Sequence, residues 1–453
     1  MSTTVAQARE TISAPNKRML VSCFLGTTIE WYDFLLYGFL APLVFDRLFF
    51  PSLDPLIGTI AVFGVFAVGF AARPLGGLFF GHFGDRIGRK PIMVTTLTLM
   101  GAATVSIGLT PTYETIGIAA PIVLVTLRFV QGFALGGESA AGPLLAMESA
   151  PDHRRGLFAA FVQSGAAAGT VLGALAAFAV GLLPDEQLVA WGWRIPFLAS
   201  AVIFAVGMYV RLKVAESPIF QAALEQKPPE RVPLLAVLKR RKVPALQVLF
   251  CAMAESSTFY FTAVFGLSYG LQTLGIDNSL LLGGIVIGNA LGIVTNPLFG
   301  AISDRVGRRP LIGGAYLLSA LFVAFAFFPM LATAAPAIIV LAMAIPGAVL
   351  QPMSLAVTGS FYGELFDDPR LRLSGVSLGR QLGTILGGGL MPMISQSLLA
   401  FSGGKLEWVI GYFALVCGVA LAAVLTARET SERLAPGARA DVAADATKAP
   451  TAP

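Results

Sequence analysis

Long runs of apolar residues, separated by short polar segments, extend along most of the chain. A helix needs about 20 apolar residues to cross a bilayer, so each run predicts one membrane-spanning helix. Twelve such spans are predicted, over residues 19–46, 55–82, 92–110, 117–148, 157–183, 193–212, 244–272, 280–302, 311–330, 336–363, 374–400 and 405–427. The pattern therefore predicts an all-α membrane protein with twelve transmembrane helices.

The composition fits a chain whose surface faces lipid. Of its 453 residues, 56% are hydrophobic and 13% are charged, which is about half the charged fraction of soluble domains. A soluble protein of this size needs more polar residues to cover its surface. These figures exclude a soluble enzyme, a disordered chain and a basic nucleic-acid-binding domain. The three cysteines lie far apart in apolar stretches and only two histidines occur, so neither a disulfide framework nor a His-rich metal site is predicted.

Lysine and arginine residues predict the orientation of the helices. If the N-terminus is cytoplasmic, the segments on that side contain 25 of the 31 cations, whereas the outer loops contain three. Cytoplasmic loops of membrane proteins carry such an excess, so both termini are predicted to be cytoplasmic. The first apolar run is too long for a cleaved signal peptide and is interpreted as a retained span.

The two halves of the chain repeat one motif. Residues 81–90, GHFGDRIGRK, follow the second span, and residues 300–309, GAISDRVGRR, follow the eighth span 219 residues later. The repeat predicts two six-helix pseudo-repeats in parallel orientation, with a substrate path between them. The predicted units are a cytoplasmic N-terminal segment 1–18, an N-terminal bundle 19–212, a cytoplasmic linker 213–243, a C-terminal bundle 244–427 and a disordered cytoplasmic tail 428–453.

Glu30 and Asp33 are acids inside the first span. They lie 11 and 14 residues into it, about 16–21 Å from its inner end and therefore near the midplane. An ionisable group at that depth costs about 2.5 kcal/mol or more, which indicates a function. The spacing i, i+3, i+7 places both acids and Tyr37 on one helix face. Because close carboxylates repel, a proton on one of them is favoured, so we predict that Asp33 and Glu30 couple transport to protons; a structural ion pair with an arginine is the alternative.

Polar residues in other spans are candidates for the substrate site. Arg128 lies near mid-depth in the fourth span, where a guanidinium can hold a carboxylate with two hydrogen bonds. The alternative is a permanent ion pair with Asp33 or Glu30. The predicted substrate-binding residues are Arg128, Tyr37, Gln131, Glu255 and Tyr260, with an interhelical hydrogen bond as an equal explanation for Gln131. Arg73 and Arg380 lie nearer the inner ends of their spans, where they can snorkel, and are predicted to be structural.

The doubled motif resembles the signature of the major facilitator superfamily, and the resemblance covers almost the whole chain. Further segments resemble its metabolite:proton symporter branch. They are EWYDFLLYG at 30–38, RPLGG at 73–77, RFVQG at 128–132, GGE at 136–138, GWRIPF at 192–197 and ESPIF at 216–220. The resemblance implies the major facilitator fold and a carboxylate or zwitterionic substrate, such as shikimate, 2-oxoglutarate, citrate, proline or betaine.

The resemblance also implies a gating role for the doubled motif. Asp85 is expected to contact the start of the eleventh span near Ser374, and Asp304 the start of the fifth span near Gly156. The helix dipole stabilises an acid at such a position, and the two contacts would close the cytoplasmic side. The alternative is that these loops are only cationic topology anchors. The predicted gating residues are Asp85, Arg86, Arg89, Asp304, Arg305, Arg308 and Glu138.

The predicted function is proton-coupled symport of a small organic carboxylate, shikimate-like, by alternating access in a bacterial inner membrane. A symporter for di- or tricarboxylates or 2-oxoglutarate is the alternative. A proton-coupled drug exporter is less favoured because the fifth span lacks a Gly-Pro pair, and the chain has no GxxxxGK(S/T) motif for a primary pump. We do not expect an enzyme, a cofactor, a bound metal or a nucleic-acid partner. The expected partners are the substrate, protons and the lipid bilayer, and the chain is expected to be monomeric.

Overall fold

The computed structural model describes residues 14–87, 89–136, 143, 146–147, 150–213, 241–366 and 369–431, and within these residues the regular secondary structure is helical. Ten of the described helices are long and apolar enough to cross a membrane. Two further spans are a helix with a shorter apolar part, Val94–Leu109, and a pair bent by 45°, Asp185–Gly192 with Arg194–Tyr209. The prediction of an all-α membrane protein is confirmed.

The long helices follow the twelve predicted spans in order, and we number them α1 to α12. They are α1 (Ala14–Leu40, continued to Phe49), α2 (Pro55–Ile87), α3 (Arg89–Leu109), α4 (Ala119–Gly136), α5 (Arg155–Gly181), α6 (Arg194–Lys213), α7 (Lys242–Gln272), α8 (Asn278–Val306), α9 (Arg308–Leu331), α10 (Pro336–Glu364), α11 (Pro369–Thr384, continued to Phe401) and α12 (Leu406–Thr426). Most of the predicted fourth span beyond Gly136 lies outside the described residues.

The two six-helix halves meet along equivalent pairs of helices. α5 packs against α8 and α10, and α2 packs against α11. The repeated motif lies at the ends of α2 and α8, and α5 and α11 occupy matching places in the two halves. The α2–α11 and α8–α5 contacts are therefore the same contact made once by each half. Between them, aromatic rings of the two halves touch at the centre of the bundle, where Trp31 lies 5.4 Å from Phe259.

A π-helical turn interrupts α1 at Ala41–Phe45 and α7 at Phe261–Phe265. In each helix the turn follows the ionisable residue that the sequence singled out, Asp33 in α1 and Glu255 in α7. Such turns are frequent at functional sites. The matching positions of the two turns reflect the internal repeat.

Glycine residues allow α2 and α4 to approach each other closely. A Cβ atom at Gly132 would overlap the carbonyl oxygen of Gly69, and a Cβ atom at Gly136 would overlap the carbonyl oxygen of Arg73. Small residues at helix contacts permit this packing in a membrane, where van der Waals contact drives association. The close approach brings Arg128 of α4 against α2.

Gly132→Ala is expected to destabilise the protein strongly, because the new methyl group can be accommodated only if α2 and α4 move apart. Overpacking of this kind costs about 1–3 kcal/mol, and backbone overlap places the change at the upper end of that range. Thermal unfolding in detergent measures the effect. Gly283→Ala in α8 is the matched control, since a Cβ atom there meets nothing within 4 Å. Equal melting temperatures for the two variants would contradict the proposed α2–α4 packing.

The chain after α12 departs from the predicted disordered tail. The Glu429 carboxylate accepts hydrogen bonds from the backbone N–H groups of Arg308 and Arg309, at 2.9 and 3.1 Å. The prediction is wrong for residues 428–431, because the first N–H groups of a helix lack intrahelical acceptors and Glu429 supplies them for α9. Residues 432–453 and most of the predicted linker 213–243 lie outside the described residues.

Candidate functional site

Asp33 and Arg128 are joined through one glutamine at the centre of the first half. Gln131 donates from Nε2 to Asp33 Oδ2 at 2.7 Å and to Thr104 Oγ1 at 2.9 Å, and its Oε1 accepts from Arg128 Nη1. We call this connection the Gln131 bridge. Asp33 and Arg128 are 1% and 0% exposed. Within the described residues they form no direct ion pair, so the alternative of a permanent salt bridge between them is not what the structure has.

Aromatic rings surround the Arg128 guanidinium. Its central carbon lies 4.3 Å from the ring centre of Tyr37, 4.5 Å from that of Phe34 and 5.3 Å from that of Phe66. Each desolvated cation–π contact contributes about 2 kcal/mol. Among the described residues, Nε and Nη2 of Arg128 have no hydrogen-bond partner. Rings and, through Gln131, Asp33 thus stabilise the guanidinium, and two of its nitrogens have no acceptor among the described residues.

The predicted common face of Glu30, Asp33 and Tyr37 is only partly right. Asp33 and Tyr37 both lie at Arg128, and the Tyr37 hydroxyl donates to the backbone oxygen of Val62 at 3.2 Å. Glu30 is half-buried and interacts electrostatically with Arg73. The two acids of α1 therefore interact with different arginines, although they lie only one helical turn apart.

Arg73 lies among the rings at the centre of the bundle and not at a snorkelling position. Its guanidinium carbon is 4.2 Å from the ring centre of Phe34 and 4.3 Å from that of Phe70. The predicted second span, 55–82, puts Arg73 near its inner end. α2 continues to Ile87, so that Arg73 lies close to the middle of the helix.

The second half contributes a buried acid and two tyrosines. Glu255 is 4% exposed and its Oε2 accepts a hydrogen bond from the Tyr362 hydroxyl at 3.4 Å. Arg380 is the cation that interacts electrostatically with Glu255. Tyr260 packs edge-on against Phe66 and Phe70 of the first half, with ring centres 5.6 and 5.3 Å apart. Tyr260 thus lies where the two halves meet, and Glu255 lies five residues before it on α7.

Asp304 makes the contact with the start of α5 that the resemblance implied. Its two carboxylate oxygens accept the backbone N–H groups of Gly156 and Leu157 at 2.9 and 3.0 Å. Arg308 pairs with the same carboxylate at 2.8 Å, and their side chains are 3% and 7% exposed. An acid of the second half therefore caps a helix of the first half, with the favourable helix dipole. We call this contact the Asp304 latch.

The other predicted gating residues are less fully described. Arg305 is exposed at the same end of the bundle as the Asp304 latch, while Arg308 also contacts Glu364 at 3.4 Å. Asp85 and Arg86 end α2 and Arg89 begins α3, but their side chains lie outside the described part of the structure, as does the whole of Glu138. The predicted contact of Asp85 near Ser374 stays a prediction.

Asp304→Asn is expected to loosen the latch, because the amide cannot form the ion pair with Arg308 or attract the helix dipole as a charge. A loss of about 1–3 kcal/mol changes the equilibrium between closed and open forms about 5- to 150-fold. A cysteine at Ala160, which is fully buried beside Gly300, reports this opening in a chain whose three native cysteines are replaced. Its maleimide labelling in detergent is expected to accelerate by such a factor.

Asp185→Asn is the matched control for the latch. It breaks the Arg47–Asp185 pair at the other end of the bundle, whose side chains are 47% and 69% exposed. Exposed pairs contribute about 0–1 kcal/mol, so labelling of the cysteine at position 160 is expected to stay unchanged. A labelling rate that is the same in Asp304→Asn as in the parent would contradict the latch.

Comparison with known proteins identifies the class. The sequence model of the Major Facilitator Superfamily matches residues 23–366 and 290–452. The chain belongs to this family of transporters.

Three individual transporters are similar to this chain in sequence over most of its length. The chain is 37% identical over 418 residues to the shikimate transporter of Escherichia coli K12, covering 91% of this chain and 95% of that one. It is 37% identical over 430 residues to the E. coli inner membrane metabolite transport protein YhjE, and 30% identical over 443 residues to the proline/betaine transporter of Salmonella typhimurium. The fold is similar to the partially occluded, inward-open xylose transporter XylE from E. coli, with a TM-score of 0.69, 16% identity and coverage of 92% and 99% of the two chains.

Two central residues were missed or misjudged in the sequence. Arg73 is predicted to be structural because the apolar run of the second span ends before the helix does, which places the residue near the inner end of the run. Gln131 is predicted as a candidate, but its role as a bridge to Asp33 depends on the relative positions of α1, α3 and α4. The contact of Glu429 with the start of α9 could not be predicted, because the sequence of a charged tail does not indicate which acid caps a distant helix.

Proposed function

We propose that this transporter is a proton-coupled symporter that imports a small organic carboxylate, with shikimate as the first candidate, across a bacterial inner membrane. The Gln131 bridge carries the proposal, since it links a buried acid to a buried guanidinium at the centre of the membrane. Similarity to the shikimate transporter supports a carboxylate, and similarity to proteins named as proton symporters supports the coupling.

The charges at the centre of the bundle support this coupling. With all of them ionised, three acids balance three arginines, and one bound proton leaves one positive charge. A monocarboxylate neutralises that charge, whereas an uncompensated buried charge is expensive. Proton and substrate therefore bind cooperatively, each favouring the other by the same factor. The six residues are Glu30, Asp33, Glu255, Arg73, Arg128 and Arg380.

The Gln131 bridge transmits the protonation of Asp33 to Arg128. When Asp33 is ionised it holds the amide nitrogen of Gln131, whose oxygen then faces Arg128. When Asp33 is protonated, this charge-assisted hydrogen bond becomes an ordinary one, which is about half as strong. The amide oxygen of Gln131 is then polarised less and accepts a weaker hydrogen bond from Arg128, and the ionised Asp33 no longer compensates the guanidinium charge. The nitrogens of the guanidinium that have no partner bind the substrate carboxylate with two hydrogen bonds.

The orientation follows from the distribution of cations. We place both termini and the Asp304 latch on the cytoplasmic side, because that side then has 25 of the 31 lysines and arginines. Release of the latch separates α5 from α8 and opens the path between the halves towards the cytoplasm. The central site is thereby exposed to one side at a time, which is what alternating access requires.

Uptake of labelled solutes by cells with and without the transporter tests the proposal. The panel contains shikimate, 2-oxoglutarate and citrate, with proline and betaine as zwitterions. We expect a carboxylate to be accumulated, more at acidic than at alkaline external pH, and a protonophore to abolish the accumulation. Uptake of zwitterions alone, or carboxylate uptake that a protonophore leaves unchanged, would overturn the proposal.

A further inference from the structure

Arg73 and Arg128 contact the same phenylalanine. Their guanidinium carbons lie 4.2 and 4.5 Å from the ring centre of Phe34, and the two cations interact electrostatically with each other. Like charges so close in a site of low dielectric constant repel strongly, and rings compensate this repulsion only in part. Such a pair is favourable when an anion lies within reach of both guanidinium groups.

The two arginines differ in how they are enclosed. Arg128 is 0% exposed and lies inside the first half, between α1, α2 and α4. Arg73 keeps partial exposure and interacts electrostatically with Tyr260 and Arg380, both of the second half. Arg73 therefore lies at the surface where the halves meet, which is where a substrate enters and leaves.

The surroundings of Arg73 fit an organic acid. Phe70 stacks on its guanidinium, and Tyr260 packs edge-on against Phe70 at 5.3 Å. In α11, a Cβ atom at Gly388 would approach both of these rings to 2.9 Å. The glycine backbone of α11 therefore packs directly against rings from both halves beside the cation. When the halves separate on one side, these rings and this backbone become an apolar surface for the carbon skeleton of a substrate whose carboxylate meets the arginine.

We propose that Arg73 is a second carboxylate-binding residue and the one that contacts the substrate first, at the surface between the two halves. The inference rests on the proposed function and names a residue of the same site. Glu30 is the resident acid within electrostatic range of Arg73. The substrate carboxylate takes over from Glu30 as the counter-charge of Arg73 and extends towards the free nitrogens of Arg128.

The test uses Arg73→Lys, which keeps the positive charge and the ring contact but loses the two-pronged geometry of the guanidinium. Equilibrium binding of shikimate and of its neutral methyl ester is measured on the purified transporter, together with thermal unfolding. We expect the affinity for shikimate to fall at least about tenfold and the affinity for the ester to stay within about twofold. Such a split between charged and neutral ligands does not follow from a general loss of packing.

Arg194→Lys is the matched control for the loss of a ring-stacked arginine. Arg194 lies 4.4 Å from the ring centre of Trp193, and it donates to the backbone oxygens of Gly108 and Thr110 far from the central site. We expect this variant to bind shikimate like the parent, even where its melting temperature is lower.

Failure of this inference is distinguishable from failure of the proposed function. If the parent takes up shikimate with protons and Arg73→Lys binds shikimate as tightly as the parent, the role of Arg73 is disproved and the function stands. Equal losses for shikimate and the ester also disprove it. If the parent takes up none of shikimate, 2-oxoglutarate and citrate, the proposed function fails first and the inference with it.

Discussion

Proteoliposomes containing Asp33→Asn are expected to lose the accumulation of shikimate that an imposed pH gradient drives, while still exchanging labelled for unlabelled shikimate. The asparagine oxygen can keep the hydrogen bond from Gln131, but the side chain binds no proton. One pH unit is worth about 1.4 kcal/mol per proton, or about tenfold accumulation. The accumulation ratio is therefore expected to fall from about 10 towards 1. Exchange survives because it needs no net movement of protons.

Glu30→Gln is the control for Asp33→Asn, since Glu30 lies one turn earlier on the same helix but faces Arg73 and not the Gln131 bridge. We expect it to keep more of the accumulation driven by the pH gradient than Asp33→Asn keeps, with a changed affinity, because its lost charge also alters the charge balance of the site. Accumulation at the parental level in both variants would remove α1 from the coupling mechanism and transfer the role to Glu255 or Glu138. A monoanion carried with one proton is neutral, so an imposed membrane potential is expected to add nothing.

The second large effect is expected from Arg128→Lys. Lysine keeps the charge, but it cannot hold a carboxylate with two parallel hydrogen bonds or fill the space between the rings as a flat group. Loss of one hydrogen bond to a charged group costs about 1.5–3 kcal/mol, so shikimate affinity is expected to fall about 10- to 150-fold. Neutral analogues such as the methyl ester are expected to bind almost unchanged. Competition binding on the purified transporter measures both.

Tyr37→Phe is the matched control for Arg128→Lys. It keeps the ring that lies 4.3 Å from the guanidinium and removes only the hydroxyl, which donates to the backbone of Val62. The expected loss is that of one hydrogen bond, about 1 kcal/mol, and appears in stability rather than in affinity. Equal losses of shikimate and ester binding in Arg128→Lys would show that Arg128 only holds helices together.

The sequence was sufficient to predict the helices and one long-range contact. Apolar runs determine which segments cross the membrane, since backbone groups in lipid must be satisfied within a helix. The repeated GxxxDRxGR segment, with the family resemblance, also predicted that Asp304 meets the start of α5 at Gly156. A motif read from the sequence can place two distant residues together only when its structural role is already known from relatives.

The central site was predicted less completely, for a physical reason. Depth along one helix follows from residue counts, but the direction of a side chain relative to neighbouring helices depends on how they pack. Gln131 of α4 joins Arg128 to Asp33 of α1, and this contact depends on how two helices pack and not on either sequence segment alone. Arg73 was misplaced because α2 extends beyond its apolar run, where hydropathy no longer marks the helix.

The most direct test of the central claim is the movement of protons during uptake. Shikimate is added to a weakly buffered suspension of cells that contain the transporter, and the external pH is recorded together with the uptake of label. Symport predicts an alkalinisation that corresponds to one proton for each shikimate in the parent and none in Asp33→Asn. Uptake of shikimate by the parent without any alkalinisation would contradict proton-coupled transport.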